Sequence, residues 1–204
     1  MRSRLAVLAN RHAAGVTAEH LEVLRRATRR DELAITETTN EARQALARLI
    51  ARGATAVVFA GGDGTVVHGL SVLDEIDGDG RLPIGALALG TVNAFATAIG
   101  ASPGNPVGII NDLERARVSA KLRRLPLIRA GGLRAPFCGF GVDAQLLEDH
   151  RAMTRGLGGR LGRAAQGRLG FAAAVATRSL PRFAFRRRAR VAVVNRGAAV
   201  ALDR

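Results

Sequence analysis

Asp63 is a lone acid set among glycines. Residues 61–65 read Gly61-Gly62-Asp63-Gly64-Thr65 and follow the apolar run Ala56-Val57-Val58-Phe59-Ala60. Glycine tolerates positive φ and lets backbone N–H groups come close to an anion. One carboxylate in such a turn can reach a metal or a water, and Thr65 adds a hydroxyl where a helix would start. A strand, a glycine turn with one acid and then a helix suit a phosphate. A tight turn with an aspartate cap fits the same five residues, so the motif alone leaves both readings open.

A second unit of the same build shifts the balance. Residues 83–97 form an apolar strand, Ile84–Leu89, that ends in Gly90-Thr91 and enters a helix through Asn93. In a parallel sheet both turns lie at the carboxyl ends of their strands, the edge where open α/β sheets bind ligands.

Three stretches carry a family resemblance: Gly61 to Thr65, then Leu89-Gly90-Thr91-Val92-Asn93-Ala94-Phe95, then Gly141-Val142-Asp143-Ala144. In order and spacing they resemble the diacylglycerol kinase catalytic-domain family, which includes bacterial lipid kinases and is related to the sphingosine kinases. The first stretch alone is shared with NAD kinases and resembles the phosphofructokinases. The second favours the lipid-kinase branch.

The resemblance implies an ATP-dependent lipid kinase that moves the γ-phosphoryl group to a diacylglycerol-like hydroxyl, with Mg²⁺. It implies nucleotide contacts at Asn10, at Thr36 or Thr38, at Gly61, Gly62, Asp63, Gly64 and Thr65, and at Gly90, Thr91 and Asn93. It makes Asp63 and Asp143 the catalytic acids. Phosphoryl transfer is mostly positioning and charge stabilisation. A carboxylate beside phosphates is repulsive without a cation, so Asp63 is also the expected Mg²⁺ ligand. At Asn10 the turn Asn10-Arg11-His12-Ala13-Ala14-Gly15 lacks the family's Pro and Ser, and a generic turn fits it as well. Asp143 fits an ordinary turn equally well.

The chain departs from the family pattern elsewhere. His68 stands where the family often has Glu, and is read as a helix-surface residue; Ala94 stands where it often has Asp. The late Asp-Gly-Glu stretch that supplies the family's general base is absent. The chain is then either truncated or a shortened relative with impaired catalysis. The alternatives to a kinase are a non-catalytic nucleotide- or membrane-binding remnant and an NAD kinase-like activity.

These motifs need a scaffold. Strand signals at Leu5–Ala9, Leu33–Thr36, Ala56–Ala60 and Ile84–Leu89 alternate with helix signals at Glu19–Arg30, Glu41–Arg52, Val66–Leu73 and Asn93–Ile99. Asn40 is the expected cap of the second helix. Repeated strand–helix units predict an α/β fold with a doubly wound, mainly parallel sheet. Leu122–Arg129, Ala135–Phe140 and Arg190–Val194 read as strands around one helical region. By resemblance they form a partial β-rich second domain.

Charge divides the chain. Residues 1–120 hold thirteen arginines and thirteen acids, whereas residues 121–204 hold eighteen basic residues and four acids. The whole net charge of +14 thus falls in the later part. The expected domains are 1–120, nucleotide-binding, and 121–204, basic and lipid-facing. Arginines within Gly156–Phe171, Arg160 among them, lie amid apolar residues in a loosely amphipathic pattern. An anionic membrane surface is the preferred partner. Nucleic acid is disfavoured, because Tyr and Trp are absent and base stacking has little support. An incomplete second domain would leave apolar sheet edges, so a homodimer is a possible assembly. The single cysteine, Cys138, excludes an internal disulfide and fits a reducing cytosol. No run of eighteen apolar residues occurs, so the expected location is cytoplasmic, peripheral to a membrane.

Overall fold

The computed structural model describes residues 3–78, 81–118, 122–130, 133–139, 142–155, 168–180, 191–195 and 198–202. Their contacts divide the chain into two compact units, Met1–Cys138 and Gly139–Arg204.

The first unit is built on four short apolar strands: β1 (Leu5–Asn10), β2 (Leu33–Thr36), β3 (Ala56–Gly61) and β4 (Ile84–Ala88). They are all parallel, in the order β2-β1-β3-β4. The expected α/β architecture is what forms. Central strands this apolar are stable only where helices cover both faces.

Alternation along the strands feeds two cores. Ala6, Leu8, Val57 and Phe59 point to one face, with Leu46, Leu70 and Phe95. These partners come from α2 (Thr39–Ala51), α3 (Asp63–Asp77) and α4 (Ala94–Ala98). Leu5, Val7, Val58 and Ala60 point to the other face, with Leu21, Leu24, Ile109 and Leu113. Those come from α1 (Ala18–Ala27) and α5 (Pro106–Val118). Each such buried Leu, Val or Phe contributes about 1.5–3 kcal/mol. Phe59 fits under α3 because residue 69 is glycine: a Cβ there would lie 2.3 Å from the ring.

Several expected boundaries move. Thr38, not Asn40, caps α2: its backbone is extended and its hydroxyl accepts the Glu41 N–H at 3.2 Å, while Asn40 is already helical. Asn93 stands outside α4, in a left-handed conformation. Helix α5 was not expected at all. Its start is marked by Asn105, which accepts the Gly108 N–H at 2.8 Å, with Pro106 at the first helical position.

The strand expected over Leu122–Arg129 is mostly absent. Residues 122–127 are exposed and irregular, because no described sheet takes their leucines. Instead β5 (Ile128–Ala130) pairs antiparallel with β6 (Leu133–Ala135), so the strand expected over Ala135–Phe140 ends where it should begin. This hairpin lies against α3. Asp74 accepts Arg134 at 2.7 Å and Arg129 at 3.4 Å.

The second unit contains α6 (Val142–Thr154) and α7 (Arg168–Ala174), which runs on into a wider turn at Val175–Ser179. It also holds an antiparallel hairpin of β7 (Val191–Asn195) and β8 (Ala198–Leu202). The buried Asp149 accepts bonds from Gln145 and Ser179, both at 3.0 Å, and so ties α6 to that turn. Arg160 and residues 156–167 of the amphipathic stretch lie outside the described residues.

Candidate functional site

Parallel strands end on one edge, and the loops leaving that edge carry the motif residues. Three of these loops touch through bare backbone. A Cβ on Gly90 would lie 2.3 Å from Gly62 Cα, and one on Gly15 would lie 2.4 Å from the Leu89 carbonyl oxygen. Glycine at 15 and 90 is therefore dictated by the fold itself. Gly61 lies beneath the Thr65 side chain, whose hydroxyl a Cβ would meet at 2.4 Å.

Gly64 is different. It sits exposed in the first turn of α3, it does not adopt positive φ, and a Cβ there would meet no described atom within 4 Å. Glycine in a helix costs about 1 kcal/mol relative to alanine. No described neighbour calls for it. Bare backbone at 64 leaves open the N–H groups of Asp63 and Gly64, which as first-turn donors have no acceptor within the helix.

Asp63 reaches across to the second motif. Its Oδ2 accepts the Ala94 N–H at 3.0 Å and its Oδ1 accepts the Phe95 N–H at 2.9 Å. The carboxylate therefore caps α4. Two oxygens offer about four lone-pair positions, so about two remain for another partner. Among the described residues no cluster of three or more His, Cys, Asp or Glu could hold a metal ion. A cation at Asp63 would draw its other ligands from phosphate oxygens and water, which is how Mg²⁺ is usually held. The residues present fit that arrangement.

Asn93 holds its own turn closed. Its side chain accepts the Gly90 N–H at 2.6 Å and donates to the Gly90 carbonyl at 2.8 Å. Its φ of 57° is the only left-handed value among described non-glycine residues, a conformation asparagine tolerates. The Asn93 side chain thus spends these bonds on the loop, and Thr91 stands exposed at the tip.

Asn10 links two loops. Its amide donates to Thr65 Oγ1 at 3.3 Å and its Oδ1 accepts the His12 N–H at 2.9 Å. Thr36 is buried and donates to the Ala9 carbonyl at 3.4 Å, while the Thr38 hydroxyl caps α2. Asn10, Thr36, Thr38 and Thr65 line one cleft of about 90 Å³, floored by Leu8, Ala42 and Val72. Motif residues from β1, β2 and β3 therefore meet in one place, and Gly90 and Asn93 join them through Gly62. Asp143 falls on α6, and its side chain lies outside those described.

Two features of this edge escaped the sequence reading. Glu37 accepts Arg11 at 3.0 Å and faces His12 at 3.5 Å. The hydrogen bond from Arg11 is the main cause that holds the Glu37 carboxyl below its ordinary 4.5. His68 is exposed as expected, yet it also lines the cleft. Its spacing of three from Thr65 was the available signal, because such pairs share a helix face.

A doubly wound parallel sheet with glycine turns gathered at its carboxyl edge defines an open-sheet α/β domain, a class that binds ligands at that edge. The chain belongs to the diacylglycerol kinase catalytic domain family, whose profile matches residues 4–123, more than half of the sequence. Two solved structures are similar to it. One is a diacylglycerol kinase from Bacillus anthracis str. Sterne, at 20% identity and TM-score 0.45, covering 65% of this chain and 45% of that one. The other is a putative diacylglycerol kinase from the same organism, at 22% identity and TM-score 0.40, covering 53% of this chain and 40% of that one. The chain thus spans less than half the length of either. No curated protein matches it.

Proposed function

We propose that the chain binds ATP at the carboxyl edge of its sheet, as the nucleotide-binding part of a lipid kinase acting on a diacylglycerol-like hydroxyl. The observation that carries this reading is Gly64, a glycine the fold does not require, beside open backbone donors at the start of a fifteen-residue helix. The N–H groups of Asp63 and Gly64 would hold phosphate oxygens, aided by the dipole of α3. Asp63 would hold Mg²⁺ through its remaining lone pairs, and the ion would offset phosphate charge. Asn10, Thr36, Thr38 and His68 would border the nucleoside in the cleft. Asp143 would act as a further acid in the transfer. Residues 121–204 would face the lipid, and their basic excess would draw the chain to an anionic membrane, at about 1 kcal/mol per basic residue near the surface. No helix among the described residues is long and apolar enough to cross a membrane.

Gly64→Ala tests this reading. The variant should fold and melt no lower than the parent. Its affinity for ATP, measured by calorimetry with Mg²⁺, should fall about tenfold, which is about 1.4 kcal/mol. Unchanged affinity would overturn the phosphate seat.

A second reading draws on Asp63, whose two bonds to α4 give it a purely structural use. On that reading the chain binds ATP without turnover. Labelled phosphate from γ-labelled ATP, counted in the lipid fraction after incubation with diacylglycerol micelles, separates the two. Label supports the kinase; ATP bound without label supports the remnant.

A further inference from the structure

A second cavity lies where β2 meets the end of α1, and it shares no lining residue with the motif cleft. It has a volume of about 410 Å³ and is lined by Arg25, Thr28, Arg29, Arg30, Leu33 and Ile35. The argument begins with the strand. β2 is at the end of the sheet order, and among the described residues it pairs only with β1. Val7 N–H bonds to the Glu32 carbonyl and Arg11 N–H bonds to the Thr36 carbonyl. In a parallel ladder successive residues turn their backbone groups to opposite sides. Glu32, Ala34 and Thr36 therefore address β1. Leu33 and Ile35 turn their N–H and C=O groups outward, and these are the two strand residues that line the cavity.

The chemistry around those groups has a sign. Arg25, Arg29 and Arg30 are all exposed. The nearby acids are already matched: Glu22 by Arg25 and Arg26, Asp31 by Arg4, and Glu32 by Arg117. Among the described residues neither Arg29 nor Arg30 has an acidic partner. Leu33 and Ile35, half-buried, give the groove an apolar floor. An unpaired strand edge is a template for another strand, and proteins commonly blunt it. Here the edge is instead concave, apolar and bordered by three arginines, of which Arg29 and Arg30 are uncompensated among the described residues.

We propose that the β2 edge is a docking site for an acidic, extended peptide segment of a partner protein, which adds to the sheet as a fifth strand. Its backbone pairs with Leu33 and Ile35, its apolar side chains cover theirs, and its carboxylates meet Arg25, Arg29 and Arg30. A membrane surface matches the charge but offers no row of backbone donors and acceptors to a concave edge.

The probe is a fluorescein-labelled peptide, Glu-Val-Glu-Val-Glu-Val, titrated against the full chain by anisotropy. Binding should weaken with added salt, and binding should protect the Leu33 and Ile35 amides from hydrogen exchange. An Arg29→Glu/Arg30→Glu variant keeps its backbone bonds, because both side chains are exposed. It should melt like the parent and bind the peptide about tenfold or more weakly. A peptide N-methylated at every residue keeps the charge and loses the donors, and it should not bind. The proposal is overturned if the acidic peptide fails to bind, or if the N-methylated peptide binds equally well. It is also overturned if protection appears elsewhere while phosphatidylserine vesicles alone engage Arg29 and Arg30.

Discussion

Asp63 holds two N–H groups that lie 31 and 32 residues further along the chain. An Asp63→Asn substitution keeps one acceptor oxygen and aims an NH₂ group at the other donor. The expected loss is about 1.5–3 kcal/mol, the range for a bond to a charged group. Urea unfolding measures it. A drop in kinase activity in this variant would therefore mix chemistry with structure, which is why Gly64→Ala is the cleaner probe of phosphate binding. Gly90→Ala makes the contrast. Its Cβ would sit 2.3 Å from Gly62 Cα, backbone against backbone, so the two loops must part. It should lose about 1–3 kcal/mol by overpacking as well as ATP affinity, read by thermal melting and calorimetry. The glycines were legible because their spacing after apolar strands is a local pattern. The partners of Asp63 were not legible, since nothing near residue 63 announces a bond to residues 94 and 95.

At the scale of elements, the strands were readable because each is an uninterrupted apolar run. Helix α5 was missed because its stability comes from partners outside the helix, near and far in the chain. Asp112 accepts Ser102 N–H and Oγ, both at 2.8 Å, and Arg117 at its other end pairs with Glu32. That pair is bidentate, at 2.7 Å for both bonds, with Glu32 wholly buried. Burial pushes the Glu32 carboxyl up, but Arg117 and the N–H groups of Arg29 and Leu5 outweigh it and leave it below 4.5. A lowered carboxyl stabilises the fold fully above its unfolded value. That stability should fade as pH drops below 4.5 through the folded value. Urea midpoints followed across that range should fall in the parent and fall less in Glu32→Gln. Arg117→Met leaves the buried carboxylate alone and should cost about 3–5 kcal/mol. Leucines 122, 125 and 127 were misread for the converse reason: a leucine-rich run reads as a strand, and no described sheet takes these three, which stay exposed.

Across the whole molecule the informative quantity is where charge lies. The net +14 arises entirely after residue 120. If that excess meets a membrane, the full chain should sediment with phosphatidylserine vesicles and leave phosphatidylcholine vesicles unbound. Retention should drop steeply with salt, because screening shortens to about 10 Å at 0.1 M ionic strength and about 3 Å at 1 M. Binding indifferent to salt would sink the electrostatic account. The charge split was plain in the sequence because it needs only counting. Which arginines share a surface was not, since that depends on packing between elements remote in the chain.

The Glu32–Arg117 pair also sets an order of events. The two residues are 85 apart in sequence, and the Ser3 N–H bonds to the Arg117 carbonyl as well. During synthesis at about 5–20 residues per second, Arg117 is made on the order of ten seconds after Glu32. Until then the nascent chain carries an acid destined for the interior without the arginine that matches it there, and the turn before β2 rests on its bonds to Arg29, Leu5 and Val7. The first unit thus gains its full stability late: however early the glycine loops are translated, the buried pair that fastens β2 to α5 is complete only after α5 has left the ribosome.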